Sequence, residues 1–195
     1  MISCPSCGNE INVVTALYDT PYFGKILITS MSCDCGFRHS DSFSAEIKDP
    51  VRFKLEVNRD TLFSKVVRST SATLRIPELG LTMEPGPASQ GFITNVEGVL
   101  IRFQEIVEMA KRWNSDSEDA VKRCEYILEK LKKAMEGEEM LTLILEDPYG
   151  NSAIVDNGVF MENLSEGEAK NLKTGLTVID IAGEDYLKRI VEEGE

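Results

Sequence analysis

Residues 4–36 read CPSCGNEINVVTALYDTPYFGKILITSMSCDCG, and the two cysteine pairs that bracket this stretch decide the fold of the N-terminal part of the chain. Cys4 and Cys7 are separated by two residues and followed by Gly8. Two thiolates at that spacing reach one tetrahedral ion while the intervening N–H groups turn toward the sulfurs, and glycine supplies the permissive backbone of such a turn. Cys33 and Cys35 again end in a glycine, Gly36. Between the pairs, Thr20-Pro21 marks a turn between two extended stretches, 11–17 and 22–29. The pattern predicts a zinc ribbon over residues 1–41, with two knuckles at the end of a β-hairpin closed on one Zn2+ by Cys4, Cys7, Cys33 and Cys35. Four thiolates leave no open coordination position, which describes a structural ion and not a catalytic one. The second pair is C-x-C where a knuckle normally has C-x-x-C, so its turn is one residue short and predicts a more strained site with fewer backbone hydrogen bonds to sulfur. His39 is the alternative ligand, although its surroundings, Arg38-His39-Ser40-Asp41, read as solvated surface.

Outside this stretch the counts narrow the field. The chain has 195 residues and one histidine, so histidine-dependent triads and two-histidine metal centres are excluded. No G-x-x-x-x-G-K phosphate loop occurs. An enzyme on such a scaffold would have to rely on carboxylates alone, such as Asp147 and Asp156. The N-terminus, MISCPSCGNE, has neither a basic nor an apolar leader segment, and no apolar run is long enough to cross a bilayer. A cytoplasmic protein with no membrane partner is expected. Thirty-three acidic against 21 basic residues give a net charge of −12, which opposes indiscriminate binding of phosphate backbones. The charge is uneven: residues 48–75 sum to +4, a basic island that could receive an acidic partner or a nucleic-acid strand, or could be balanced by neighbouring carboxylates.

The remaining sequence predicts a mainly β domain over 42–195 with a helical insertion. Val51, Phe53, Leu55 and Val57 alternate with polar residues, as on a half-buried strand. Further strands are predicted at 62–68, 72–76, 141–146, 152–155 and 176–181, with a turn-rich loop at 77–91 around a short extended piece at 81–83 and an acidic, helical tail from Glu184. From about 94 to 137 the apolar period becomes helical. Val96, Val99, Leu100, Phe103, Ile106, Val107 and Ala110 form one stripe, and Ala120, Val121, Cys124, Ile127, Leu128, Leu131 and Met135 a second. Thr94 with Glu97, and Ser115 with Glu118, fit capping boxes, and Gly137 a C-terminal cap. Two such helices on a short loop make an antiparallel hairpin, and strands on either side of it suggest a sandwich or barrel. Cys124 lies on the apolar stripe and is expected in the core.

In order along the chain, CPSCG, PYFGKILITSMSCDCGFRHSD, RSTSATLRIPELGLTMEPGPASQGFITNVEGVL and LEDPYGNS are similar to the segments of the ZPR-type zinc-finger proteins. The match spans residues 1 to 155 and resembles the single-module, archaeal form. The resemblance implies a zinc ribbon followed by a double-stranded β-helix domain carrying the helical hairpin. It also implies a binding role and no enzymatic activity: eukaryotic relatives associate with translation elongation factor 1-alpha and assist its folding. The family motif falls on Arg75, Pro77, Glu78, Gly80, Thr94, Glu97 and Gly98. Arg75 and Glu78, together with Arg68 from the basic island, are the candidates for partner contact. The expected function is a zinc-dependent protein-interaction module, a binding partner or folding chaperone of an elongation factor 1-alpha type GTPase. The alternative is a zinc-ribbon nucleic-acid binder attached to translation or transcription machinery.

Overall fold

A computed structural model of the chain describes residues 2–21, 24–44, 46–87 and 89–175. The strand expected at 176–181 and the acidic tail lie outside the described residues. The first sheet is built from β1 (Asn12–Thr20), β2 (Gly24–Ser32) and β3 (Arg38–Ser44), in that spatial order and antiparallel throughout. The hairpin runs without a bulge from the Asn12–Ser32 pair to the Thr20–Gly24 pair. The third strand falls on the polar stretch that reads as solvated surface in the sequence. Both faces of this small sheet meet solvent, so no apolar alternation is imposed on it and a polar strand pairs as well as an apolar one.

The rest of the chain forms two packed antiparallel sheets. One has the order β11-β4-β9-β6-β7, from β4 (Val51–Val57), β6 (Thr73–Ile76), β7 (Leu81–Met83), β9 (Leu141–Asp147) and β11 (Phe160–Asn163). The other has the order β10-β5-β8, from β5 (Lys65–Arg68), β8 (Phe92–Asn95) and β10 (Ala153–Val155). Apart from the β6–β7 pair, neighbours within each sheet come from distant parts of the sequence, as crossovers between two sheets require. Inward-facing Val51, Phe53, Leu55, Val57, Leu74, Leu143 and Leu145 meet Val66, Val96 and Ile154 in one continuous core. The expectation of a mainly β, sandwich-like domain with a helical insertion describes this arrangement.

The insertion is α1 (Val96–Trp113) and α2 (Glu118–Met135). Their caps differ from the expected boxes by one or two residues. Asn95, not Thr94, caps α1 by accepting from the Gly98 N–H. Ser117, not Ser115, caps α2 by accepting from the Ala120 N–H. Gly137, with φ of 76°, closes α2 in a Schellman turn: its N–H reaches Ala134 O, and the Glu138 N–H reaches Lys133 O. Val99, Leu100, Phe103 and Val107 of α1 and Ile127, Leu131 and Ala134 of α2 join the core. Cys124 packs against the same cluster, as its position on the apolar stripe predicts. Between residues 108 and 126 no side chain is buried, so the far half of the hairpin projects from the domain. A short third helix, α3 (Glu166–Asn171), opens on a full capping box from Ser165 and Glu168.

Asp147, fully buried at the end of β9, organises the turn that follows it. Its two carboxylate oxygens accept from the hydroxyls of Ser69, Ser71 and Ser152 and from the N–H groups of Tyr149 and Asn151, at 2.6–2.9 Å. The turn in turn holds the segment that leads in from the ribbon: Tyr149 O accepts from Lys48 N, and the Asn151 side-chain amide donates to Glu46 O. Gly150, with φ of 65°, lies so close to Lys48 and Asp49 that any Cβ would collide with them.

Candidate metal centre

The ribbon's knuckles are two short turns. In the first, Cys4 N donates to Asn9 O and Gly8 N to Cys4 O; in the second, Cys33 N donates to Phe37 O and Gly36 N to Cys33 O. Gly8 and Gly36 both have positive φ, 76° and 94°, the conformation that the sequence predicts for them. The four cysteine Sγ atoms converge, all within 4.8 Å of one another. Cys4 lies 3.7 Å from Cys35 and Cys7 3.6 Å from Cys33, sulfur to sulfur. Ligands about 2.3 Å from a tetrahedral zinc stand about 3.8 Å apart, so the donor set and its spacing fit one Zn2+. His39 is on β3 opposite Met31 and is not among the described side chains that could share the ion.

The short second knuckle leaves its mark on the sulfurs. Cys4 is buried, which pushes its thiol up, but N–H groups of Ser6 and Cys7 and the neighbouring thiols of Cys35 and Cys33 more than offset this and bring it to about 7. Cys33 receives only the N–H of Cys35; desolvation and the other three thiols raise it to about 12. Cys7 receives the N–H of Asn9, yet Cys35 and desolvation raise it as well. Three backbone donors therefore serve the first knuckle's sulfurs. In the second knuckle the Cys35 N–H serves Cys33.

A pH dependence follows. Zinc binds thiolates, and in the metal-free protein Cys7 and Cys33 carry protons at neutral pH, so loading the site releases at least those two. Acid therefore opposes binding. Apparent zinc affinity, measured by chelator competition, is expected to fall at least about a hundredfold for each pH unit lowered near neutrality, two protons being worth two factors of ten. A slope corresponding to less than one proton would contradict this.

The proposed partner residues are placed as follows. Arg75 faces outward from β6 and donates to Glu146 at 2.8 Å, while Arg52 holds the same carboxylate from the other side. Glu78 lies in the single 3₁₀ turn Pro77–Leu79, and its carboxylate accepts from Thr142 N at 3.0 Å, tying the turn to β9. Arg123 of α2 donates to Leu79 O, so the same turn anchors the hairpin. Arg75 and Glu78 keep part of their surface in solvent. Arg68 does not: it is 3% exposed, with its guanidinium bonded to Ser89 and Gln90 O and lying against the Phe92 ring. Burial pulls its pKa down, and the charge of Asp147 works the other way. An arginine on a four-residue strand facing the interior offers a partner no surface, which corrects its reading as a contact residue.

Three further cations of the basic island, Arg52, Lys54 and Arg75, are neutralised within the fold. Arg52 pairs with Glu146, Glu162 and Glu168, Lys54 with Glu162, and Arg75 with Glu146. These carboxylates arrive from β9, β11 and α3, up to 116 residues away in sequence. Of the two carboxylates with possible chemistry, Asp147 is saturated by its five donors. Asp156 accepts from the Ser64 hydroxyl and the Gly158 N–H, which hold it below the usual carboxylate range.

A four-thiolate ribbon joined to a two-sheet β domain with a helical hairpin defines a class of zinc-finger protein. Residues 1–48 match the ZPR1 zinc-finger domain and residues 60–176 the ZPR1 jelly-roll domain. The chain is 45% identical to a ZPR1-like protein of Methanocaldococcus jannaschii, over 92% of each chain. It is 30% identical to the zinc finger chaperone zpr1 of Schizosaccharomyces pombe over 95% of its own length and 43% of the relative's. It is 35% identical to the human zinc finger protein ZPR1, over 77% of its own length and 34% of the relative's. The chain belongs to the ZPR1 family, in a single-module form, and its four cysteines form the family's zinc centre.

Proposed function

We propose that this protein is a zinc-stabilised interaction module of the cytoplasm that binds, and assists the folding of, an elongation factor 1-alpha type GTPase. The observation that carries the reading is the projecting half of the helical hairpin. Residues 108–122 contribute nothing to the core, yet Trp113 at its tip is 76% exposed, and Ile106 and Tyr126, further along the two helices, are 43% and 46% exposed. Val121 and Leu128 line an open cleft there with Glu108 and Lys111. A tryptophan held in water at the end of a rigid arm costs solubility and returns nothing to stability, and such residues are the usual anchors of protein interfaces. The chaperone name of the fission-yeast relative supports the same direction. Arg75 and Glu78, half in solvent on the turn that anchors the arm, are proposed to contribute at its base.

The test is capture of the elongation factor by the purified protein and the yield of the factor refolded in its presence. Trp113→Ala is expected to weaken capture by about tenfold or more while leaving zinc content and melting temperature unchanged. Capture that is indifferent to Trp113→Ala, or no capture at all, would count against the reading. The nucleic-acid alternative draws less support, since three of the seven cations of residues 48–75, Arg52, Lys54 and Arg75, are paired with Glu146, Glu162 and Glu168, and Arg68 is buried. Among the described residues no helix is long and apolar enough to cross a membrane.

A further inference from the structure

Among the described residues the three sheets end in six edge strands, and five of them are blunted in the ways natural sheets use to prevent edge pairing. Strands β7, β8, β10 and β11 are three or four residues long. Strand β3 carries Arg38, His39 and Asp41. Strand β1 is different. It is nine residues long, NVVTALYDT, and has no proline, no lysine or arginine, no bulge, and one charge, Asp19. Among the described residues its main chain bonds only to β2 and to nothing on its outer side. Its apolar side chains stand in water on both faces: Val14 57% exposed and Tyr18 55% on one, Leu17 57% on the other.

We propose that β1 is a self-recognition edge, through which two copies of this chain pair as antiparallel β1 strands about a two-fold axis and join their ribbons into one six-stranded sheet. Symmetry restricts the register. A two-fold axis between antiparallel neighbours runs perpendicular to the sheet and keeps each face on its own side, so paired residue numbers must sum to an even value. The sum of 32 places Ala16 on the axis and brings all nine residues of each strand opposite one another. Val14 then faces Tyr18 of the second copy, and Leu17 faces Thr15, each twice. Such aliphatic–aromatic and aliphatic–Thr pairs stabilise sheets. Asp19 meets Val13 of the second copy, so no like charges are apposed within the ladder. One ladder is a small interface for two acidic chains. The dimer is weak, with a dissociation constant on the order of micromolar, and it tightens with added salt as long-range repulsion is screened.

Sedimentation equilibrium of the zinc-loaded full chain across a dilution series tests this directly, with hydrogen exchange on the same samples. The expected result is a doubling of mass at high concentration, accompanied by protection of the outward-facing N–H groups of β1. Val14→Lys combined with Tyr18→Lys sets like charges opposite each other at both 14–18 pairs and is expected to weaken association by roughly tenfold or more. Val14→Lys combined with Tyr18→Glu makes the same pairs complementary and is expected to restore it; within one chain these positions are too far apart along the strand to interact. Zinc content and melting temperature serve as controls for folding. A wild-type chain that stays single at every concentration would overturn the proposal, as would a dimer indifferent to the double-lysine change. Outward amides already protected in the dilute single chain would also overturn it, by showing that the chain's own segments cover this edge. An extended client strand that binds at β1 while the protein remains single would replace the second copy as its occupant.

Discussion

Cys4→Ser is expected to abolish stoichiometric zinc binding and to unfold the ribbon while the β domain stays folded. The reason lies in how little else holds the ribbon. Among the described side chains between residues 2 and 42 the buried ones are Cys4 and Ile11, and both faces of the sheet meet solvent. Strand pairing alone gives marginal stability to so small a sheet, whereas a structural zinc supplies about 10–16 kcal/mol of binding free energy that is available only to the folded knuckles. Cys4 is the least replaceable ligand: it is buried, and it gathers two backbone N–H donors that stabilise its thiolate. A serine hydroxyl stays protonated and is a poor ligand for zinc. Metal analysis should show well under one zinc per chain. Hydrogen exchange should show lost protection across residues 12–44 with protection retained in β4, β9 and α1. Removal of zinc by a strong chelator should reproduce the pattern. A Cys4→Ser protein that keeps one zinc and a protected ribbon would mean that three thiolates suffice.

Asp147→Ala is expected to be the most destabilising single change in the β domain outside its apolar core. The substitution leaves three hydroxyls and two N–H groups without their acceptor in a site that water does not reach, and it removes the charge that faces buried Arg68. Breaking a buried charged network of this kind costs about 3–5 kcal/mol, a large share of the 5–15 kcal/mol that holds a domain together. Urea unfolding should show the midpoint lowered with little change in slope. The 147–151 turn also grips Glu46 and Lys48, so limited proteolysis of the variant should cut faster in the segment leading from ribbon to β domain. An unchanged midpoint would show that the serine cluster repacks around the vacancy.

The metal site was almost entirely legible, because chelation is local. A knuckle's two sulfurs, its glycine and its backbone donors lie within six residues, so CPSCG and CDCG carry their geometry in themselves. Strand β4 and both helices were legible for a related reason: Val51 to Val57 and the stripe from Val96 to Met135 each bury one face, and burial writes a period into the sequence. Where that pressure is absent the reading fails. Strand β3, exposed on both sides, and β8 and β11, four residues each, leave no period to detect. The caps of α1 and α2 moved because several neighbouring Ser, Thr and Asn residues could serve, and residue type by itself does not choose among them.

Long-range charge was the other blind spot. Seven basic residues between 48 and 75 look like a patch in one dimension, but the carboxylates that neutralise Arg52, Lys54 and Arg75 come from 146, 162 and 168. Arg68 reads like its neighbours, yet the fold turns it inward while leaving Arg75, seven residues later, outside. Asp147 reads as a turn residue, and only the meeting of β5, β6 and β10 makes it the acceptor for three serine hydroxyls. By itself, then, the sequence determined the ligands, the closed coordination, the helical hairpin and the family, since each rests on contacts among near neighbours or on a repeated burial period. Tertiary structure alone decided which charges are spent, which edge of the ribbon is left open and how far the hairpin projects, because those depend on what distant strands bring alongside.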